Sequence, residues 1–516
     1  MTTEQPAAGR FLTVIRRFRW IYLAPVLAFV ALGAWAFASP IGAGPDDDYH
    51  LVSIWCSTGG GEYCEPGSDA GHREVAEGFP EITCYAQVAA TSADCQQQVW
   101  ADFDDSTVEI DRGNFLGEYP PVYYTVMHVF AGSDIQVSAL VMRLLNAALF
   151  VGLSTALAVL LPVRRRTMLW AWLVTLVPLG MFLIPSNNPS GWAITGVGTA
   201  FLALLGWFEA GGRRRWALGA LYVLGVVMAA GSRGDAAVYV VGATVVVLIL
   251  TAIRSRPWLL SAILPVVGLV FAVALMASAG QSGVASAGFT SDGSTSPVLP
   301  GQEADAGASG LALAAYNLLM LPFLWTGVWG TWALGWFDTG LPAIVPWAAV
   351  AAFVVVAFAG LGQLTWRKAI SVTGVLFVLI ALPVYVLTAG GDPVGVSLQP
   401  RYLLPLIVLF AFVLLTEPTG RVLRFPRVQT FAILGALALA NLVSLQVNIR
   451  RYITGSDQQG FNLDAGAEWW WTGFPVGPTA VWVIGVAAYI GLLAVMWTQL
   501  RPATAVAERE SVSTPL

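Results

Sequence analysis

The sequence predicts an all-α polytopic membrane protein with about twelve transmembrane helices, and three observations predict it. The chain is 57% hydrophobic and only 11% charged over 516 residues, with a mean hydropathy of +0.69, whereas soluble domains carry about 25% charged residues. Its apolar residues fall into long runs, and about 20 such residues are what a helix needs to cross the hydrocarbon core. Its 26 basic residues, of which Lys368 is the one lysine, gather in short clusters at the ends of those runs. That distribution leaves no nucleic-acid footprint.

Residues 1–19 form a short N-terminal segment carrying Arg10, Arg16, Arg17 and Arg19. The first apolar run, 20–39, is long and many others follow, so it reads as a retained helix rather than a signal peptide. Residues 40–134 then break the pattern. They hold all three histidines, all four cysteines, and 17 acidic residues against two arginines, Arg73 and Arg112. Further spans read at 135–161, 167–185, 190–209, 215–232, 235–253, 258–279, 341–362, 369–390, 400–416, 428–447 and 478–500, within one membrane domain over 20–500. With the N-terminus inside, alternate loops place 19 of the 26 basic residues on one side. By the positive-inside rule that side is cytoplasmic. Both termini, including the tail 501–516, then face the cytoplasm, and 40–134 is a large extracytoplasmic loop of a cytoplasmic-membrane protein.

Residues 280–337 form a second outer loop. Its first part, 280–310, is rich in Gly, Ser and Ala. Residues 311–337 are apolar, but counting them as a span would move Arg367 and Lys368 outside, so they read as an interfacial or re-entrant helix. Trp325, Trp329, Trp332 and Trp336, spaced four, three and four apart, would share one helical face as an interfacial belt. Trp469, Trp470 and Trp471, in the outer stretch 448–478, suit the interface as well.

Four cysteines in the one loop that faces an oxidising compartment imply two disulfides. Of the three pairings, Cys56 with Cys64 and Cys84 with Cys95 closes the shortest loops, and the sequence leaves the choice open. Zinc is the rival, weakened because no close C-x₂₋₄-C pair is present.

Chemistry concentrates at the two membrane-proximal ends of the loop. After the first span come Asp46, Asp47, Asp48, Tyr49 and His50. Adjacent carboxylates raise one another's pKa, and a raised carboxyl can serve as a general base. A helix starting near Asp46 would place Asp46 and Asp47 on the face of His50. The plain alternative is that these acids only cap a solvated helix start. A divalent ion on the Asp and His groups stays open; no cofactor is otherwise required. Before the second span, Tyr119, Tyr123, Tyr124 and His128 could line a substrate. Arg143 lies about eight residues inside the second span, which demands a partner, a wet cavity or snorkelling to the surface. Arg143, Arg233 and Arg401 are candidate phosphate forks. No Asp, Glu or Lys falls in the middle of a span, which disfavours ion-coupled transport.

The run Pro45-Asp46-Asp47-Asp48-Tyr49-His50 resembles the Pro-Asp-Glu-x-x-His signature of bacterial integral-membrane proteins grouped as domain of unknown function 2142. Three later stretches agree in order: Tyr119-Pro120-Pro121-Val122-Tyr123-Tyr124, Gly335-Trp336-Phe337-Asp338-Thr339 and Arg401-Tyr402-Leu403-Leu404-Pro405. That family is similar to the GT-C membrane glycosyltransferases. The resemblance implies a GT-C-like helical fold, a catalytic acid in the first outer loop and a polyprenyl-phosphate-linked sugar as donor, with a cell-envelope glycan or lipid as acceptor. It assigns Asp46 and Asp47 to the family's acidic pair, His50 to its histidine and Arg401 to its late arginine. Asp47 stands where the family usually has Glu, and Pro400 where it has Gly. A cell-envelope lipid or polysaccharide transporter and a non-catalytic scaffold are the competing functions.

Overall fold

The computed structural model describes residues 20–61, 63–280, 310–362, 364–417, 423–471 and 474–500. The segments 1–19, 281–309 and 501–516, together with Arg421, lie outside the described residues, and so do the expectations placed on them. Among the described residues, nine helices are long and apolar enough to cross a membrane by length and composition, and Ile21–Phe37, Ile344–Gly360 and Pro400–Leu415 are shorter apolar helices; the nine include Leu311–Trp329, which is not among the spans read from the sequence, and none lies over 167–185. The protein is an all-α membrane protein, as the composition requires.

Its main helices are α1 (Ala24–Phe37), α2 (Asp47–Trp55), α3 (Val122–His128), α4 (Ile135–Leu160), α5 (Arg165–Leu176), α6 (Leu179–Leu183), α7 (Ser190–Glu209), α8 (Gly212–Ser232) and α9 (Gly234–Thr251). They continue as α10 (Ile263–Ser278), α11 (Leu311–Thr326), α12 (Ile344–Gly360), α13 (Trp366–Gly390), α14 (Pro400–Leu415), α15 (Arg427–Thr454) and α16 (Pro478–Leu500). The span expected at 167–185 is two helices. Pro178 holds Val177 in an extended conformation, because a residue before proline is pushed out of the helical region.

The bundle centres on α7, whose apolar stretch is 94% buried. It packs closely on α8, because at Gly196 and Gly225 a Cβ would come within 2.7 Å of the opposing backbone. The first helix packs on the last: Trp35 donates to Asn441 of α15, and Gly485 of α16 leaves room for Ala34.

Two faces follow from the alternation of helix direction. On the arginine face, basic side chains donate to the carbonyls that end helices: Arg165 to Ala158, Arg214 to Leu160, Arg166 to Gln499, Arg367 to Leu250 and Lys368 to Gly360. The last carbonyls of a helix have no partner within it, and a cation there also suits the dipole. On the loop face sits the cover built from residues 39–134. A three-stranded antiparallel sheet in it, β1 (Cys64–Pro66), β2 (Arg73–Ala76) and β3 (Thr107–Ile110), has the order β1-β2-β3. Disulfides join Cys56 to Cys64 and Cys84 to Cys95, the pairing with the shortest loops.

The tryptophans depart from the expected belt. The 311–329 helix stops at Gly330, whose φ of +98° ends it, so Trp332 and Trp336 lie off it. Each indole N–H has a protein carbonyl instead: Trp325 bonds Leu379, Trp329 Val174, Trp332 Phe323 and Trp336 Gly42. Trp470 and Trp471 are buried too, and Trp471 bonds the Phe37 carbonyl. These rings pin segments together, with Trp325 and Trp336 remaining partly exposed. Near its start, Asn317 of α11 bonds the Asp392 carbonyl past the end of α13, on the loop face. After the turn at Gly330 the chain comes back to that face, where Trp336 meets Gly42.

Candidate active site

Asp46 sits in the left-handed region, with φ 60° and ψ 24°, a conformation Asp tolerates better than most residues. It immediately precedes α2, yet its carboxylate does not cap the helix. It turns instead to two arginines from distant segments, Arg401 of α14 and Arg112 of the cover. Asp47 goes the other way. It is fully buried, accepts the Gly44 amide at 2.9 Å and lies 4.0 Å from Arg143. Asp48 is held by Arg112 through Nε and, at 3.0 Å, Nη2. The three neighbouring acids therefore have three different environments.

Charge follows from those environments. Burial opposes ionisation of Asp46, but Arg401 and His50, with Arg112, outweigh it and hold the carboxyl at about 2. Burial dominates at Asp47, and Arg143 only partly offsets it, so its pKa is pushed up to about 6. His50 is fully buried, which drives its pKa well below the usual range despite the Asp46 charge. Its imidazole is therefore neutral at neutral pH. Its Nδ1 lies 2.9 Å from the Tyr124 hydroxyl, and its ring meets those of Tyr49 and Tyr119 edge-on. Tyr49 in turn donates to Glu118 at 2.8 Å.

Arg401, the second residue of α14, donates through Nη1 to the Pro45 carbonyl at 2.7 Å and through Nη2 to Tyr402 at 3.0 Å. Asn188 also holds the Pro45 carbonyl, at 2.8 Å. Arg233 forms a two-pronged pair with Asp235 at 2.9 and 3.0 Å, and its guanidinium lies 4.5 Å from the Tyr402 ring centre and 5.5 Å from that of Tyr119. His50 Nε2, Arg233 Nη1 and Arg401 Nε are buried without partners. These three nitrogens, brought together around the rings of Tyr119 and Tyr402, form a polar corner. Beside it a recess is lined by Pro45, Gln399, Arg401, Trp332, Phe337 and Phe182. Among the described residues, no three His, Cys, Asp or Glu side chains are grouped as a metal site.

The remaining sequence candidates fall outside this corner. Arg143 does not snorkel: it donates to the carbonyls of Ala36, Ser39 and Pro40 and to the Asn187 side chain, all within 3.1 Å. It thus ties the end of α1 and the following loop beneath Asp47. Tyr123 is buried edge-on against Trp192, on the Asp47 side. His128 contacts the Ile54 carbonyl and Thr58 at the far end of α2. Sequence reasoning gave no site role to Arg112, Tyr402 or Glu118. Arg112 did carry a signal, since a cation among 17 acids will find a carboxylate.

No curated protein and no solved structure matches the chain. The family of predicted membrane proteins grouped as domain of unknown function 2142 matches over residues 29–410, a region that holds Asp46, His50, Arg112, Arg233 and Arg401 together, and the chain belongs to that family.

Proposed function

We propose that the protein is a GT-C-like glycosyltransferase of the cytoplasmic membrane, moving a sugar from a polyprenyl-phosphate donor to a glycan or lipid acceptor on the outer face. The observation that carries this reading is the pairing of Asp46, about a third exposed at 32%, with the buried Arg401. A carboxylate and a phosphate-binding fork stand together, beside an unpaired guanidinium nitrogen of Arg233 and an unpaired ring nitrogen of His50.

In this reading Asp46, not Asp47, is the base. Asp47 faces Arg143 and has no exposed surface; it latches the loop. At rest Asp46 is neutralised by Arg401 and Arg112 and is a poor base. A donor phosphate competes for the Arg401 fork, and as it takes those hydrogen bonds the Asp46 carboxylate becomes more basic. Asp46 then accepts the proton of an acceptor hydroxyl. The hydroxyl oxygen attacks the anomeric carbon, the bond from that carbon to the phosphate oxygen breaks, and polyprenyl phosphate leaves with the electron pair. Arg401 and Arg233 stabilise its growing charge. The anomeric centre inverts, and both termini lie in the cytoplasm with 311–337 as a re-entrant segment.

The test uses membranes containing the full chain and polyprenyl phosphates each bearing one labelled hexose or pentose. Labelled sugar should reach an acceptor with wild type and not with Asp46→Asn. Undiminished transfer by that variant sinks the catalytic reading. Absence of transfer in wild type, with movement of labelled lipid across vesicles, favours a transporter.

A further inference from the structure

A second concavity lies in the other half of the bundle, away from Asp46. It is a groove of about 440 Å³ between α1, α4, α5 and α16, within the roughly 300–1,000 Å³ typical of ligand pockets. Its walls are apolar, with Ala28 and Leu32 on one side, Phe150 and Trp172 on the other, and Leu492 closing the back. One lining residue is charged: Arg165, the first residue of α5, on the arginine face.

The groove runs from Arg165 to Leu176 and Met181. Eleven residues of helix separate Arg165 from Leu176, a rise of about 16 Å, or about half of a 30 Å hydrocarbon core. The slot is therefore one leaflet deep, with a cation at its mouth. Arg165 Nε donates to the Ala158 carbonyl at 3.1 Å, and among the described residues its two terminal nitrogens have no hydrogen-bond partner. Its neighbour Arg164 is already paired with Glu209. An anionic headgroup at Arg165 and an acyl chain in the slot would match both features, as basic pockets between membrane helices do elsewhere.

We infer that this groove binds one anionic glycerophospholipid of the arginine-face leaflet, its phosphate on Arg165 and one acyl chain between α1 and α4. The polar corner lies on the opposite face of the bundle, so this site is separate from the proposed reaction. The two share a wall: Met181 of α6 lines the groove, and Phe182 lines the recess beside Arg401.

The test is native mass spectrometry of the full chain in detergent, titrated with phosphatidylglycerol or phosphatidylcholine of identical acyl chains. Wild type should retain one phosphatidylglycerol at about tenfold lower concentration than phosphatidylcholine. Arg165→Gln should erase that preference, and Ser154→Trp, which fills the groove, should weaken both lipids at least tenfold. If Ser154→Trp does not fold, Ala28→Phe on the opposite wall reads the same loss. Equal retention of the two lipids by wild type overturns the proposal. So does unchanged retention by a folded groove-filling variant, or one-for-one displacement by polyprenyl phosphate, which would assign the slot to the donor's tail.

Discussion

Both faces of the bundle are rich in arginine, but they use it differently. On the arginine face the arginines, exposed or half-buried, finish helices, giving their hydrogen bonds to terminal carbonyls both nearby and far along the chain, as Arg165 does to Ala158 and Arg367 to Leu250. On the loop face Arg143, Arg233, Arg401 and Arg451 are buried and reach carboxylates or carbonyls, most of them from distant parts of the chain. An arginine that terminates a helix can be exchanged for other donors, or for water. A buried one whose partner comes from another segment fixes where that segment lies. The same residue type thus marks topology on one face and assembles a site on the other.

The sharpest way to break this contrast is at the Asp46 and Arg401 pair. Asp46→Asn should lower sugar transfer by about 10²–10⁴, and Arg401→Lys, which loses the planar fork, by about 10²–10³; initial rates in membranes measure both. Arg143→Met should act on folding rather than chemistry. It removes the partner of a buried carboxylate and frees three backbone carbonyls, at a cost of about 3–5 kcal/mol, seen as a lower unfolding temperature in detergent.

Asp47 gives a pH signature. Its folded pKa of about 6 lies above the ordinary value of 3.8, so the folded state holds the proton more tightly. That contribution to stability is full below about pH 4 and is lost as the pH rises toward 6, an effect of order 3 kcal/mol. Asp47→Asn should flatten this slope when unfolding midpoints are compared between pH 4 and 7, while keeping measurable transfer. A loss of transfer as large as that in Asp46→Asn would instead make Asp47 the base. The smallest effect belongs to the other face: Arg367→Gln should change stability by less than about 1 kcal/mol and leave the transfer rate within twofold. A loss matching that of Arg401→Lys would erase the distinction between the faces.

The spans were legible because about 20 apolar residues leave a chain few alternatives in lipid. The carboxylate cluster, His50 and Arg401 were legible as an ordered set of short motifs. The opposed directions of Asp46 and Asp47 were not, because they depend on one positive φ, and an Asp-rich run does not reveal which residue adopts it. The role of Arg143 was hidden because its partners are mostly backbone carbonyls, which every residue carries. The short strands of the cover were missed because three or four residues are too few to show an alternating pattern. Helical spacing misplaced Trp332 and Trp336, since periodicity takes no account of a glycine turn between them.

Asp46 and Arg401 are 355 residues apart in sequence. At a synthesis rate of about 5–20 residues per second, roughly 20 to 70 seconds pass between their emergence from the ribosome. During that interval Arg112 is the one of its two cations that Asp46 can reach, because Arg401 has not been made. The first helix likewise waits for α15 and α16, made later still, to supply Asn441 and the space at Gly485. Vectorial synthesis therefore completes this site only once Arg401 has emerged, and a chain cut short before residue 400 would carry Asp46 with Arg112 as its remaining clamp.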